Sequence, residues 1–280
     1  MVEALVAAAS WTAVSKAELE EHLVGRAASC FLFFRDKFFV SEMVRIRRPS
    51  NFQSGTVVVF GGSFDPISFT HIQVAAEVIN FGLADQVWVV PCGMRPDKRT
   101  NIQAIQRMEM VSIAIDAMIP KDFPMFVEST EVDEGRYFPT RELMCLYRNR
   151  YPHLHFKILM GNDLLTSLHL WDDFPELISE NRFIVYRRIF TGISVIEPDD
   201  DGNVLLNDSG KSKIKVERIC GEGMSPTLSN ISSTEIRKRI TCKGTVGIVG
   251  LTPLAVIDYI IENGLYATPP QSPELRPIAS

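Results

Sequence analysis

From Thr56 to Arg188 the chain alternates two kinds of apolar spacing. Short runs rich in β-branched and aromatic residues, TVVVFGG, QVWVVP, MFVEST, HFKILMG and RFIVYRR, are bounded by glycine, proline or polar residues. Runs of this form read as strands buried on both faces. Between them, over 71–81, 104–118, 140–149 and more loosely 163–178, apolar residues recur at three and four, the spacing of a helix with one buried stripe. A later strand, KIKVERI, leads to a helix starting near Ser232 and a last amphipathic helix over 253–263. Strand and helix in regular alternation predict an α/β fold, a doubly wound parallel sheet with helices on both faces.

Two segments and a tail break that rhythm, which leaves 51–266 as the main domain. Residues 1–50 form an N-terminal extension with a short helical pattern over 16–25 and the apolar run CFLFF, to which no chemistry attaches. Residues 191–213, with EPDDDGN and NDSGKSK, read as a polar surface insertion, either a hairpin or a mobile loop. Residues 267–280 are proline-rich and read as an unstructured tail. No segment repeats at a fixed period.

Composition narrows the setting. At 280 residues, 46% apolar, the chain can bury a substantial core. With 29 basic against 34 acidic side chains the formal charge is −5, which argues against a broad nucleic-acid surface. Five widely spaced cysteines, Cys30, Cys92, Cys145, Cys220 and Cys242, contain no C-x-x-C pair and suit a reducing compartment. The apolar start MVEALVAAASW carries Glu3 where a leader needs positive charge, and no run reaches the length of a membrane span. A protein of the cytoplasm or nucleus, without membrane or nucleic-acid partners, is the expectation, and a homo-oligomer is compatible with it.

The candidate chemistry begins in VVVFGGSFDPISFTH, Val57 to His71. In an open α/β sheet ligands settle beyond the carboxyl ends of the strands. Gly61 and Gly62 at such an end admit close backbone approach, and the following helix turns N–H groups and partial positive charge towards an anion. Thr70-x-x-Gln73 has capping-box spacing, placing His71 in the first helical turn. The plainer alternative is a tight turn with a surface histidine. NISSTEIRKRI repeats the theme: Ser232 and Glu235 have capping-box spacing, and Ser233, Thr234 and Arg237 gather at a helix start suited to a polyphosphate. Alone, that segment reads equally as an ordinary helix start. His153, His155 and His169 lack metal-site spacing, Trp88 reads as core, and Asp199, Asp200 and Asp201 as a solvated loop.

GSFDPISFTH followed by ISSTEIR resembles the paired motifs of the nucleotidyltransferase superfamily. The intervening PCGMRPDKRTNIQAIQRMEMVSIAI, EGRYFPTRELMCLYRNRYP and GNDLLTSLHLW are similar to segments of the nicotinamide/nicotinate mononucleotide adenylyltransferases. The resemblance covers about Val57 to Tyr266. It implies a Rossmann-like fold and an enzyme joining ATP to the mononucleotide, giving NAD or its deamido form and pyrophosphate. By that resemblance Gly62, Ser63 and Phe64 supply backbone contacts, and His71 sits on the α-phosphate of ATP. Ser233, Thr234 and Arg237 hold the β- and γ-phosphates with Lys98, Asp163 binds a ribose hydroxyl and Trp171 flanks the pyridine ring. Ser63, Phe64 and Lys98 also border the mononucleotide, and Arg107 matches the motif in a structural role. Magnesium is expected on the substrate phosphates, with no metal site of the protein's own. Ser68 stands where bacterial members carry a first histidine, a hydroxyl replacement common in eukaryotic members, and Phe138 to Arg141 align only loosely. Two alternatives stay open: another acceptor such as phosphopantetheine, and a nucleotide-binding or chaperone-like relative without turnover.

Overall fold

The computed structural model describes residues 53–95, 102–188, 196, 198–199, 201–206, 213–220 and 225–266. The N-terminal extension, the proline-rich tail and Lys98 lie outside them. β1 (Gly55–Gly62) leads to α1 (Phe69–Asn80), β2 (Gln86–Pro91), α2 (Ala104–Met118) and β3 (Met125–Val127). Then come α3 (Thr130–Asp133), α4 (Thr140–Arg150), β4 (Leu154–Gly161), a 3-10 segment (Asn162–Leu170), α5 (Phe174–Glu180) and β5 (Arg182–Tyr186). β6 (Asn203–Leu205), β7 (Lys213–Arg218), α6 (Ser233–Lys243), a 3-10 turn (Thr245–Ile248) and α7 (Leu254–Glu262) complete the order.

The strands form one sheet in the order β3-β2-β1-β4-β5-β7-β6. All neighbours are parallel except β6 and β7. The winding runs outward from β1 to β3, then resumes on the other side at β4. β1 and β4 therefore flank the switch point, the place where an open α/β sheet leaves a crevice at its carboxyl edge.

Alternation along each strand divides the core between the two faces. Val58 and Phe60 of β1, Val87 and Val89 of β2 and Ile184 and Tyr186 of β5 pack with α1, α2, α6 and α7. Val57 and Val59, Trp88 and Val90, and Phe183 and Val185 pack on the opposite face with α4 and α5. Both faces are covered, which is why the strands read as near-continuous apolar runs. Trp88 is core, as expected: it is 1% exposed and its indole donates to Gln86 Oε1 at 3.0 Å.

Several boundaries differ from the sequence expectation. The expected helix over 163–178 is a 3-10 segment and a short α-helix, broken where Trp171 turns extended and Asp173 takes φ 51°. MFVEST contributes three strand residues, after which the Glu128 carboxylate accepts from Thr130 N–H at 3.1 Å and Thr130 Oγ1 at 2.6 Å and starts α3. Within 191–213, β6 pairs antiparallel with β7, the hairpin alternative. It is not purely surface: Val204 and Leu206 are 1% and 2% exposed in the core, held by a turn in which Asp199 accepts from Asn203 N–H at 2.7 Å.

Candidate active site

β1 ends in Gly61-Gly62, and the loop that follows turns under the start of α1. Gly62 is required here because a side chain would meet the Phe64 ring at 2.9 Å. Phe64 has φ 46° and a buried ring, edge-on to Phe60 at 5.5 Å and to His71 at 5.2 Å. The carbonyls of this loop are committed inward: Gly62 O accepts from Cys92 N–H at 2.9 Å and Ser63 O from Arg107 at 2.6 Å. A trans peptide points its N–H opposite its carbonyl. The N–H groups of Ser63 and Phe64 thus face away from β2 and Arg107.

The cap of α1 differs from the one expected at Thr70. Ser68 is the N-cap and His71 occupies the third helical position. His71 Nδ1 accepts from Ser68 N–H at 3.0 Å and lies 2.9 Å from Ser68 Oγ. With Nδ1 an acceptor, the neutral ring carries its proton on Nε2. Ser68, wholly buried, therefore fixes the orientation and tautomer of His71.

Thr70 and Gln73, read as the box, do something else. Thr70 Oγ1 donates to Ser229 O at 3.1 Å and accepts from Ile231 N–H at 2.8 Å. Gln73 Oε1 accepts from Ser229 N–H and Oγ at 2.9 and 2.7 Å. Ser68 Oγ reaches Ile231 O at 3.3 Å and Ser233 Oγ donates to Pro66 O at 2.8 Å. The two motifs, some 160 residues apart, are thus stitched into one surface.

At the start of α6, Ser232 is the N-cap and its hydroxyl accepts from Glu235 N–H at 3.1 Å, as expected. The return half of the box is replaced by a Glu235–Arg239 pair at 2.7 Å. Ser233 and Thr234 precede the first intrahelical bond, from Ile236 N–H to Ser232 O, so their N–H groups belong to the uncompensated first turn. Arg237 donates to Asp65 O at 2.6 Å and to Thr234 Oγ1 at 3.3 Å, and lies 3.7 Å from Asp65 Oδ2. Asp65 is 3% exposed and also accepts from the Tyr266 hydroxyl at 2.6 Å. Burial and the Asp65 carboxylate hold the Tyr266 phenol protonated far above its ordinary range.

Beyond β4 lies the third part. A side chain on Gly161 would fall 2.3 Å from Asp163 Oδ1, so the glycine of G-N-D makes room for the carboxylate. Arg188 donates to Asp163 Oδ2 at 3.1 Å, whereas Oδ1 is buried with no hydrogen-bond partner among the described residues. An orphaned buried acceptor of this kind awaits a donor. Trp171, half-buried at the end of the 3-10 segment, borders the same apolar cluster as Phe138.

Arg107 is structural in placement, being wholly buried. Residues not singled out from the sequence are Asp65, Tyr266, Arg188 and Glu131. Glu131 Oε2 accepts from Gly93 N–H at 2.9 Å and Phe138 N–H at 3.3 Å. Burial pushes its carboxyl up to about 7, against those two N–H groups and the charges of Arg107 and Arg95. The signal was its place in EVDEGRYF before a glycine turn, too general to single out one carboxylate. No group of three or more His, Cys, Asp or Glu able to hold a metal exists among the described residues, nor any helix long and apolar enough to cross a membrane.

Residues 59–239 match the family described as cytidylyltransferase-like. The probable nicotinate-nucleotide adenylyltransferase of Methylacidiphilum infernorum is 31% identical over 224 residues, covering 79% of this chain and 95% of that protein. The corresponding protein of Halalkalibacterium halodurans is 30% identical over 213 residues, covering 75% and 90%. Among solved structures, the nicotinic acid mononucleotide adenylyltransferase of Plasmodium falciparum complexed with NaAD superposes with a TM-score of 0.59 at 28% identity, over 75% of this chain and 97% of that one.

Proposed function

We propose, from the premise that this chain belongs to the cytidylyltransferase-like nucleotidyltransferases and among them to the nicotinate-nucleotide adenylyltransferases, how its cleft carries out adenylyl transfer. The reaction joins ATP to a pyridine mononucleotide, giving the dinucleotide and pyrophosphate. The observation that carries the mechanism is the stitching of the His71 helix start to the Ser233 helix start. It ties a histidine-bearing helix start to a second helix N-terminus, which supports a site for a polyphosphate.

The mononucleotide 5′-phosphate is already an oxyanion near neutral pH, so no general base is needed. Its oxygen attacks the α-phosphorus in line, the new P–O bond forms, the α–β bridging P–O bond breaks, and pyrophosphate leaves with the electron pair. His71, with Nδ1 held by Ser68, donates from Nε2 to an α-phosphate oxygen, where charge grows in the transition state. The N–H groups of Ser63 and Phe64 meet the same phosphate. Ser233, Thr234 and Arg237 receive the β- and γ-phosphates. Lys98, outside the described residues, keeps the phosphate role that the family resemblance implies.

Asp163 takes a ribose hydroxyl on its unpartnered Oδ1, and Trp171 flanks the pyridine ring. ATP would enter as its magnesium complex, with substrate oxygens and water holding the ion. The test is steady-state dinucleotide formation from ATP with nicotinate mononucleotide, and with phosphopantetheine as the competing acceptor. Turnover with the pyridine substrate alone is expected; preference for phosphopantetheine refutes the acceptor, and no turnover with either refutes the reaction.

A further inference from the structure

Beneath the groups that face the cleft lies a second, buried layer. Arg107 of α2, wholly buried, donates to Ser63 O at 2.6 Å, to Cys92 O at 2.6 Å and to Gly93 O at 3.1 Å. Glu131 of α3, 3% exposed, accepts from Gly93 N–H and Phe138 N–H through one oxygen. Gly93 is therefore gripped on both sides, its carbonyl by Arg107 and its N–H by Glu131. No side chain fits there: a Cβ on Gly93 would lie 2.3 Å from Arg136 O.

These two side chains join the loops that follow β1 and β2 to the loop between α3 and α4. The first carries Ser63 and Phe64 on the ATP side. The third reaches Phe138, which shares its apolar cluster with Trp171 on the acceptor side. A buried guanidinium and a buried carboxyl are a costly way to add stability, because each gives up its hydration. What they supply is direction: each hydrogen bond fixes a backbone group that an apolar pair would leave unheld.

We infer that Arg107 and Glu131 are positioning residues for the transfer, holding the ATP loop and the acceptor loop at the spacing that in-line attack requires. The inference rests on the adenylyl-transfer reading above. Neither side chain touches substrate. Their effect passes through the peptide groups of Ser63, Gly93 and Phe138, and a misplacement of about 1 Å suffices to cost about 100-fold in rate.

The experiment compares Glu131→Leu, Glu131→Gln and wild type in dinucleotide formation, with ATP affinity titrated separately and melting temperatures recorded. Glu131→Leu is expected to lower kcat by about 10-fold or more and raise KM for the mononucleotide, with the Kd for ATP within about 2-fold. Glu131→Gln keeps an acceptor oxygen and is expected to bring kcat back to within about 3-fold of wild type. Wild-type kcat and KM in Glu131→Leu overturn the inference, as does a Gln variant as impaired as Leu at equal melting temperature. If Glu131→Leu does not fold, Glu131→Asp replaces it, shorter by one methylene: kcat about 10-fold down with ATP affinity kept supports the inference, and unchanged kcat overturns it. Wild-type protein that binds ATP yet forms no dinucleotide refutes the functional reading instead.

Discussion

Arg237 donates to the backbone carbonyl of Asp65 at 2.6 Å, across 172 positions of sequence. The late motif therefore ties down the loop that follows β1. Asp65, whose carboxylate accepts from Tyr266, is the point where the first loop, α6 and the segment after α7 meet.

Arg237→Lys separates charge from geometry. It keeps the cation and loses the planar fork that spans Asp65 O and Thr234 Oγ1 and that, on the proposed function, also meets a phosphate. KM for ATP, and for pyrophosphate in the reverse direction, is expected to rise about 10-fold, with KM for the mononucleotide nearly unchanged. Unchanged KM for ATP and pyrophosphate would leave Arg237 as a tether only.

Ser68→Ala removes the hydroxyl beside His71 Nδ1 and half of the cap of α1. A loss of about 1 kcal/mol in urea unfolding is expected. The kcat should fall about 10-fold through misorientation of the imidazole, against about 100-fold for His71→Ala, with KM for ATP little changed in both. A Ser68→Ala enzyme with full kcat would show that Ser68 N–H alone holds the ring.

Trp171→Ala is expected to raise KM for the mononucleotide and spare ATP. Stacking against an aromatic ring contributes about 1–3 kcal/mol per base in comparable cases. Trp171 also borders the core cluster, so the melting temperature is the control. Equal weakening of both substrates together with lost stability would assign it to packing.

Glu131 gives the protein a pH dependence of definite sign. Its carboxyl is pushed from 4.5 to about 7 by burial, in the field of Arg107, Arg95 and, more exposed, Arg136. The folded state thus holds this proton more tightly than the unfolded chain does. The stability it contributes is complete below pH 4.5, declines as pH rises through the window to about 7, and is lost above it. The unfolding free energy of wild type minus that of Glu131→Gln should fall by up to about 3 kcal/mol between those limits. A difference independent of pH would mean that the carboxyl titrates normally.

The sheet was legible because strands buried on both faces leave continuous apolar runs, as in TVVVFGG and QVWVVP. The boundaries of α2 were legible for a related reason, as its apolar spacing runs unbroken between polar Gln103 and the extended Ile119. Thr70-x-x-Gln73 misled because the pattern is indifferent to partners: the same two residues serve a loop 156 to 161 positions away, while Ser68 takes the cap with a histidine in the role usual for Glu or Gln. The break at Trp171 depends on Asp173 in a left-handed conformation, which no spacing announces. Val204 and Leu206 were hidden by the acidic and glycine-rich residues on either side. Asp65 and Glu131 were missed because a buried carboxylate is recognised by its partners, and those come from other loops.

The most direct test is a single turnover in which ATP labelled at the α-phosphate and, in parallel, at the γ-phosphate is mixed with excess protein and nicotinate mononucleotide. The α-label is expected in the dinucleotide and the γ-label in pyrophosphate, in equal amounts and with one rate constant, which His71→Ala lowers about 100-fold. Release of the α-label as AMP, or its retention in ATP while both substrates are bound, would contradict adenylyl transfer by this cleft.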